Sequence, residues 1–90
     1  MYFIYILRCS DNSLYCGQTK DLERRIQEHN GPDSKSKYTR SRRPVKLAYA
    51  EKCKTINGAL KREFEIKKMT KLEKEKLIKS VHLKMNLLKK

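Results

Sequence analysis

Residues Tyr2 to Cys9 read Tyr-Phe-Ile-Tyr-Ile-Leu-Arg-Cys, a run broken only by one arginine. Aromatic and aliphatic residues in such a run predict a buried strand, and a short chain must spend most of its remaining length covering it. Ser10-Asp11-Asn12-Ser13 is polar and turn-forming. Leu14 to Gln18 is a second short strand, so the two predict an antiparallel hairpin with a four-residue loop. Val45 to Glu51 suggests a third strand, with Val45, Leu47 and Tyr49 alternating onto one side.

Helices account for the rest. Thr19 reads as an N-cap, with Asp21 and Glu23 in the first turn, where the helix dipole favours anions. Leu22 and Ile26 mark an apolar face, and Asn30-Gly31-Pro32 reads as a stop, which bounds a first helix at about residues 20–30. Residues 31–44 form a long polar loop, the kind that is functional or mobile in a compact domain. Thr55 opens a second helix running to about Met69. Thr70-Lys71-Leu72-Glu73 is a capping box that opens a third, with Leu72, Leu77, Ile78 and Val81 as its apolar side. The expected architecture is α/β of the α+β type: a small three-stranded antiparallel sheet flanked by about three helices. Residues 1–81 form the domain, and residues 82–90 a basic tail or helix extension.

Ninety residues, 38% of them hydrophobic, suffice for one modest core. Met1 leads straight into the apolar run, with no basic segment or cleavage-type tail before it, and no run approaches the about 20 apolar residues of a membrane helix. A cytoplasmic location is expected. Cys9, Cys16 and Cys53 are odd in number and lack C-x-x-C spacing, which predicts reduced thiols rather than a disulfide framework or zinc cage.

The net charge of +13 is unevenly spread. Residues 1–34 sum to −1, residues 35–48 to +6 with no acidic side chain, and residues 49–90 to +8. A positive field of this kind attracts polyanions, most simply nucleic acid. In the middle loop, Lys35, Lys37, Arg40, Arg42 and Arg43 can track a phosphate backbone while Tyr38 stacks on a base.

Arg25 and His29 sit one helical turn apart and face the same way, while Arg24, about 100° round, faces solvent. Arginine offers a phosphate two parallel donors, a geometry lysine lacks. The plain alternatives are a surface arginine and a polar residue suited to a helix C-terminus. Tyr5 and Tyr15 are either core aromatics of a small sheet or hydroxyls that a hairpin brings to one face. Gly17 weakens a strand interior, so close approach of backbone or substrate is the reason to expect it there. On the second helix, Ile56, Ala59, Leu60 and Glu63 share one side. A carboxylate in an apolar stripe is costly unless paired or bound to metal. Lys67 at i+4 supplies an ordinary ion pair, and side-chain chemistry alone favours it.

Phe3-Ile4-Tyr5, Leu14-Tyr15-Cys16-Gly17 and the helix Lys20 to Asn30, taken in order and spacing, resemble the GIY-YIG nuclease superfamily in its small single-domain bacterial form. Lys37-Tyr38-Thr39-Arg40, Arg43-Pro44-Val45-Lys46-Leu47 and Ala59 to Lys68 extend the resemblance over roughly residues 2–79. Phe3 replaces the first glycine of the family name and Cys16 the middle isoleucine of its second half, both keeping an apolar side chain. The resemblance implies that Arg25 stabilises charge on the transition state and that Tyr5, with Tyr15 and His29, positions or deprotonates the attacking water. It implies that Glu63 holds one Mg²⁺ or Mn²⁺, and that hydrolysis leaves 5′-phosphate and 3′-hydroxyl ends. Gln18 stands where many relatives have lysine, which weakens one phosphate contact, and the family's distal asparagine has no clear counterpart.

The expected activity is a metal-dependent DNA endonuclease acting on single-stranded or structured DNA in repair or recombination. DNA is preferred over RNA as partner. Two other readings share the charge pattern: a non-catalytic RNA- or DNA-binding module, and a nuclease subunit that relies on a targeting protein.

Overall fold

The computed structural model describes residues 1–32 and 36–88, with side chains to residue 80. The expected roles of Lys35, of Val81 and of the tail side chains lie outside the described residues. Three strands, β1 (Tyr2–Arg8), β2 (Leu14–Thr19) and β3 (Lys46–Cys53), form one antiparallel sheet in the order β2-β1-β3. Because β1 is central, both its faces need cover, which explains its near-continuous apolar sequence. Ile4, Ile6 and Leu7 are fully buried and Tyr5 nearly so.

The two faces of β1 build two cores, as a period of two requires. Ile4 and Ile6 pack with Cys16, Tyr49, Ala59, Ile66 and Ile78, so this face is covered by α3 (Ile56–Lys67) and α4 (Lys71–Leu88). Tyr5 and Leu7 pack with Cys9 and Val45, and against Tyr15, Leu22 and Ile26; here the cover is α1 (Leu22–Asn30). The expected sheet-and-helix architecture holds, with one helix more. α2 (Lys37–Arg40) is a single turn inside the basic loop, capped by Ser36, whose hydroxyl accepts from the Thr39 amide. The backbone of α4 runs on across the expected boundary at residue 82.

Several local expectations shift. Asp21, not Thr19, caps α1, its carboxylate accepting from Arg24 N at 3.1 Å. Thr19 ends β2 and accepts from Asp21 N instead. The helix stop uses no left-handed residue: Gly31 has φ −79°, and Asn30 locks the junction by two bonds to the Val45 backbone, at 3.0 and 2.7 Å. In β3 the expected alternation fails. Ile6 pairs with Tyr49 but Leu7 pairs with Leu47, so Ala48 is an extra residue in a bulge. Val45 and Tyr49 therefore enter opposite cores, and Leu47 is 43% exposed. The capping box forms as expected, Thr70 and Glu73 exchanging backbone-to-side-chain bonds at 2.9 and 3.2 Å.

Two ion pairs bind helices to the sheet. Arg8 makes a forked pair with Glu75 of α4, at 2.8 and 2.6 Å. Arg62 of α3 grips Glu51 of β3 at 2.7 Å, and Glu51 also accepts from the Tyr49 hydroxyl. The Arg8 guanidinium pulls the Glu75 carboxyl down from 4.5 to about 2. A depressed carboxyl contributes stability above its unfolded value and loses it as pH falls through its folded one. Glu75→Gln should thus lower unfolding free energy by about 1 kcal/mol at pH 7. That difference from the parent protein should close between pH 4.5 and about 2, as read by denaturant titration across that range.

Candidate active site

Tyr5 of β1 lies directly opposite Gly17 of β2. A Cβ at residue 17 would stand 2.4 Å from the Tyr5 hydroxyl and 2.6 Å from Cζ, so only glycine lets the ring lie across β2. That path delivers the phenol oxygen, Oη, to α1. There Arg25 Nε donates to it at 3.4 Å, and His29 Nε2 stands 3.0 Å away. The i, i+4 spacing of Arg25 and His29 is what lets one phenol meet both. Leu22 and Ile26, packed on the same core as Tyr5, set the roll of the helix.

The chain continues inward. His29 Nδ1 lies 2.9 Å from Thr39 Oγ1, with His29 2% exposed and Thr39 fully buried. Arg25 can only donate, so Oη accepts from it and sends its own proton to His29 Nε2. Nδ1 then carries the imidazole proton and donates to Thr39, an arrangement that gives the phenol and imidazole protons each an acceptor. Among the described residues, no buried side-chain polar atom lacks a partner.

Burial, and then the neighbouring Arg25 charge, lower the His29 pKa below 6.5, so the ring is neutral at physiological pH. Burial raises the Tyr5 pKa above 10, against a lowering hydrogen bond from Arg25. Tyr15 lays its ring against His29, centroids 5.1 Å apart, and stacks on Tyr38 at 5.7 Å. The Arg25 side chain is 44% exposed and paired only loosely with Glu28, at 3.5 Å. It therefore has donors to offer outward.

Glu63 arrives from α3, on the other face of the sheet. The stripe that carries it is not the expected one. Ala59 and Ile66 are the buried positions, whereas Ile56 and Leu60 are 39% and 46% exposed. Glu63 lies between Ala59 and Ile66 with its side chain 17% exposed, and Lys67 Nζ stands 3.7 Å from its carboxylate. The expected ion pair is thus present. After burial, the Glu63 charge is among the smaller influences that raise the Tyr5 and Cys16 pKa values. Burial, chiefly, pushes the Cys16 thiol up to about 11, so it is a protonated core residue; all three cysteines are free thiols.

The basic loop is less available than its composition suggests. Arg42 pairs with Asp11 at 3.0 Å, donates to the Tyr38 carbonyl and lies 4.1 Å over the Tyr38 ring. Arg43 donates to the Arg40 and Gly31 carbonyls. Tyr38, gripped by Tyr15 and Arg42, acts as a strut. Lys37 and Arg40 are exposed, and Gln18 is half-buried in β2. Sequence reasoning missed Thr39 as a partner of His29. The signal was Ser36, an N-cap three residues earlier, which folds this stretch into a turn.

A three-stranded antiparallel sheet whose central strand sets a tyrosine against an arginine and a histidine of α1, with a glutamate on α3, defines a small nuclease-type fold. The chain belongs to the GIY-YIG family: the model of the GIY-YIG catalytic domain matches residues 1–86. It is 53% identical over 77 residues to a UPF0213 protein of Syntrophus aciditrophicus, covering 86% of this chain and 88% of that one. A UPF0213 protein of Staphylococcus aureus is 50% identical over 78 residues, 87% and 94% of the two chains. The solution NMR structure of a protein from E. faecalis matches with TM-score 0.63 and 43% identity over 91% of this chain and 86% of that one. That of a UPF0213 protein from Bacillus halodurans matches with TM-score 0.57 and 36% identity over 88% and 84%.

Two measurements check the geometry. Gly17→Ala should cost about 1–3 kcal/mol of stability, since the pinned Tyr5 ring cannot yield without strain. NMR titration should place the His29 pKa below 6.5. Its folded pKa lies below the unfolded one, so its contribution to stability is lost as pH falls below 6.5.

Proposed function

We propose that this chain is a divalent-metal-dependent endonuclease that hydrolyses DNA phosphodiester bonds. The observation that carries this reading is the hydrogen-bonded chain Arg25–Tyr5–His29–Thr39, with the outer side of Arg25 open to solvent. A merely structural tyrosine has no need of a neutral histidine on its hydroxyl and a cation beside it.

The chemistry follows from where the protons sit. A water placed against Tyr5 Oη gives up a proton to that oxygen as the phenol proton passes to His29 Nε2. Thr39 accepts from Nδ1 throughout and keeps Nε2 free to receive. Arg25 binds a non-bridging oxygen of the phosphate and stabilises the charge that grows as hydroxide attacks phosphorus. The bond to the 3′-oxygen breaks, solvent protonates that oxygen, and the products are a 5′-phosphate and a 3′-hydroxyl. Tyr15 fixes the imidazole edge-on.

Glu63 is the residue that would hold Mg²⁺ or Mn²⁺. Among the described residues no group of three or more His, Cys, Asp or Glu side chains gathers. A single carboxylate nevertheless suits Mg²⁺, which retains most of its waters and takes further oxygens from substrate phosphate. Lys67, its side chain 54% exposed, can swing away to release the carboxylate. When bound, the metal would supply Lewis-acid neutralisation of phosphate charge. Single-stranded or branched DNA in repair or recombination, in the cytoplasm, is the setting this reading favours, with a targeting protein as a further partner. Among the described residues, no helix is long and apolar enough to cross a membrane.

The Glu63–Lys67 pair favours a second reading, a nucleic-acid-binding module without hydrolysis, DNA or RNA. Incubation with single-stranded, nicked, branched and duplex DNA, with and without Mg²⁺ or Mn²⁺, separates the two. Hydrolysis should require the metal, and Arg25→Ala should slow it roughly 10²–10³-fold. Glu63→Gln should abolish the metal response. Binding to every substrate with no metal-dependent cleavage would leave the binding module. The rate should fall on the acid side as His29 protonates, with an apparent pKa below 6.5.

A further inference from the structure

The outer face of α3 carries three apolar side chains in register. Ile56, Leu60 and Phe64 are 39%, 46% and 60% exposed. At i, i+4 and i+8 they align along about 12 Å of helix. Phe64 is the most exposed aromatic among the described residues, whereas the other exposed one, Tyr38, is engaged by Tyr15 and Arg42.

The position of the row follows from the partners of its neighbours. Arg62 reaches one way, to Glu51 on β3. Glu63, about 100° round the helix from Arg62, pairs instead with Lys67 at 3.7 Å. Leu60 lies roughly 60° beyond Glu63 around the helix, with Lys67 between them in projection. The row therefore borders Glu63 on the flank that faces away from β3. Its setting is cationic: Lys61, Lys67 and Lys68 line it, and Lys68 Nζ lies 4.3 Å from the centre of the Phe64 ring.

We propose that this face of α3 is a track for an unpaired nucleic-acid strand, with Phe64 stacking on a base and Lys61, Lys67 and Lys68 on the flanking phosphates. The proposal rests on the reading that Glu63 faces the scissile phosphate, and it adds a substrate class: the strand beside that phosphate is single. A duplex hides its base faces behind its backbone, so an apolar row gains nothing from it, whereas an unpaired base offers a flat apolar face. Lys68, already beside the Phe64 ring, supplies a cation for the phosphate of a nucleotide stacked there. A second copy of this chain is opposed by charge, since each carries +13.

The chain has no tryptophan, so Phe64→Trp installs a single reporter at an exposed position that the fold does not depend on. With the full chain in EDTA, a single-stranded oligothymidylate should quench its emission saturably, and a blunt duplex of equal length should leave it nearly unchanged. Phe64→Ala should weaken single-strand binding about tenfold while shifting duplex binding less than twofold. Circular dichroism and Tm should match the parent protein. Single-strand binding by anisotropy with no tryptophan quench would overturn the track and leave the nuclease reading standing. Absence of binding to any nucleic acid would overturn both. A concentration-dependent dimer in sedimentation that Phe64→Ala dissolves would overturn the track in favour of contact between copies.

Discussion

The site depends on one cross-strand pair. Tyr5 is buried in the central strand and cannot move aside, and Gly17 across from it has no side chain to obstruct the ring. The phenol is thereby held where α1 passes, and the polar contacts follow from that point. His29 finds its partner because the oxygen is there, Thr39 is drawn to the remaining ring nitrogen, and α2 is held down through Thr39. The polar chain is buried, so each link is stronger than in water, and each would be costly if broken. Such a chain is preorganised: its geometry is set during folding rather than during the reaction.

The carboxylate side is positioned by different means. α3 packs on the opposite core through Ala59 and Ile66, and the Arg62–Glu51 clamp fixes its rotation about its own axis. With Arg62 committed to β3, the adjacent Glu63 turns about 100° away from that clamp, to Lys67. A rotation of the helix by one position would put Arg62 or Phe64 in the place of Glu63. The two cores lie on opposite faces of the sheet, and β2, one of its two edge strands, sends Cys16 into one and Tyr15 against the other.

Much of this was legible in the residues, for identifiable reasons. The buried strand and hairpin could be read because β1 is central and its apolar sequence has no competing explanation. Arg25 and His29 could be placed together because helical spacing leaves no other outcome. Other features were hidden by near-degenerate choices. Thr19 and Asp21 are both good caps, and only the extent of β2 decides between them. Apolar residues lie on both sides of Glu63, at Leu60 and Phe64 as well as Ala59 and Ile66, so periodicity alone could not pick the buried stripe. The Ala48 bulge reverses the facing of half of β3, which no alternation pattern reveals. The basic loop read as open for nucleic acid, yet Arg42 and Arg43 spend their donors on carbonyls and on Asp11. Their sequence could not show which cations brace the loop.

The hairpin turn acquires a meaning from those braces. Ser10 N donates to the Arg42 carbonyl and Asp11 holds the Arg42 guanidinium, so the tip of the β1–β2 turn is stitched to the segment that carries Thr39. Surface turns of this kind are ordinarily where a domain tolerates extra residues and accepts fusions or new termini. Here a longer turn would pull on Arg42, and through it on the segment whose Thr39 hydroxyl meets the imidazole. The five residues between β1 and β2 are therefore a poor place to splice or permute this domain, although the tip of the turn lies at the surface.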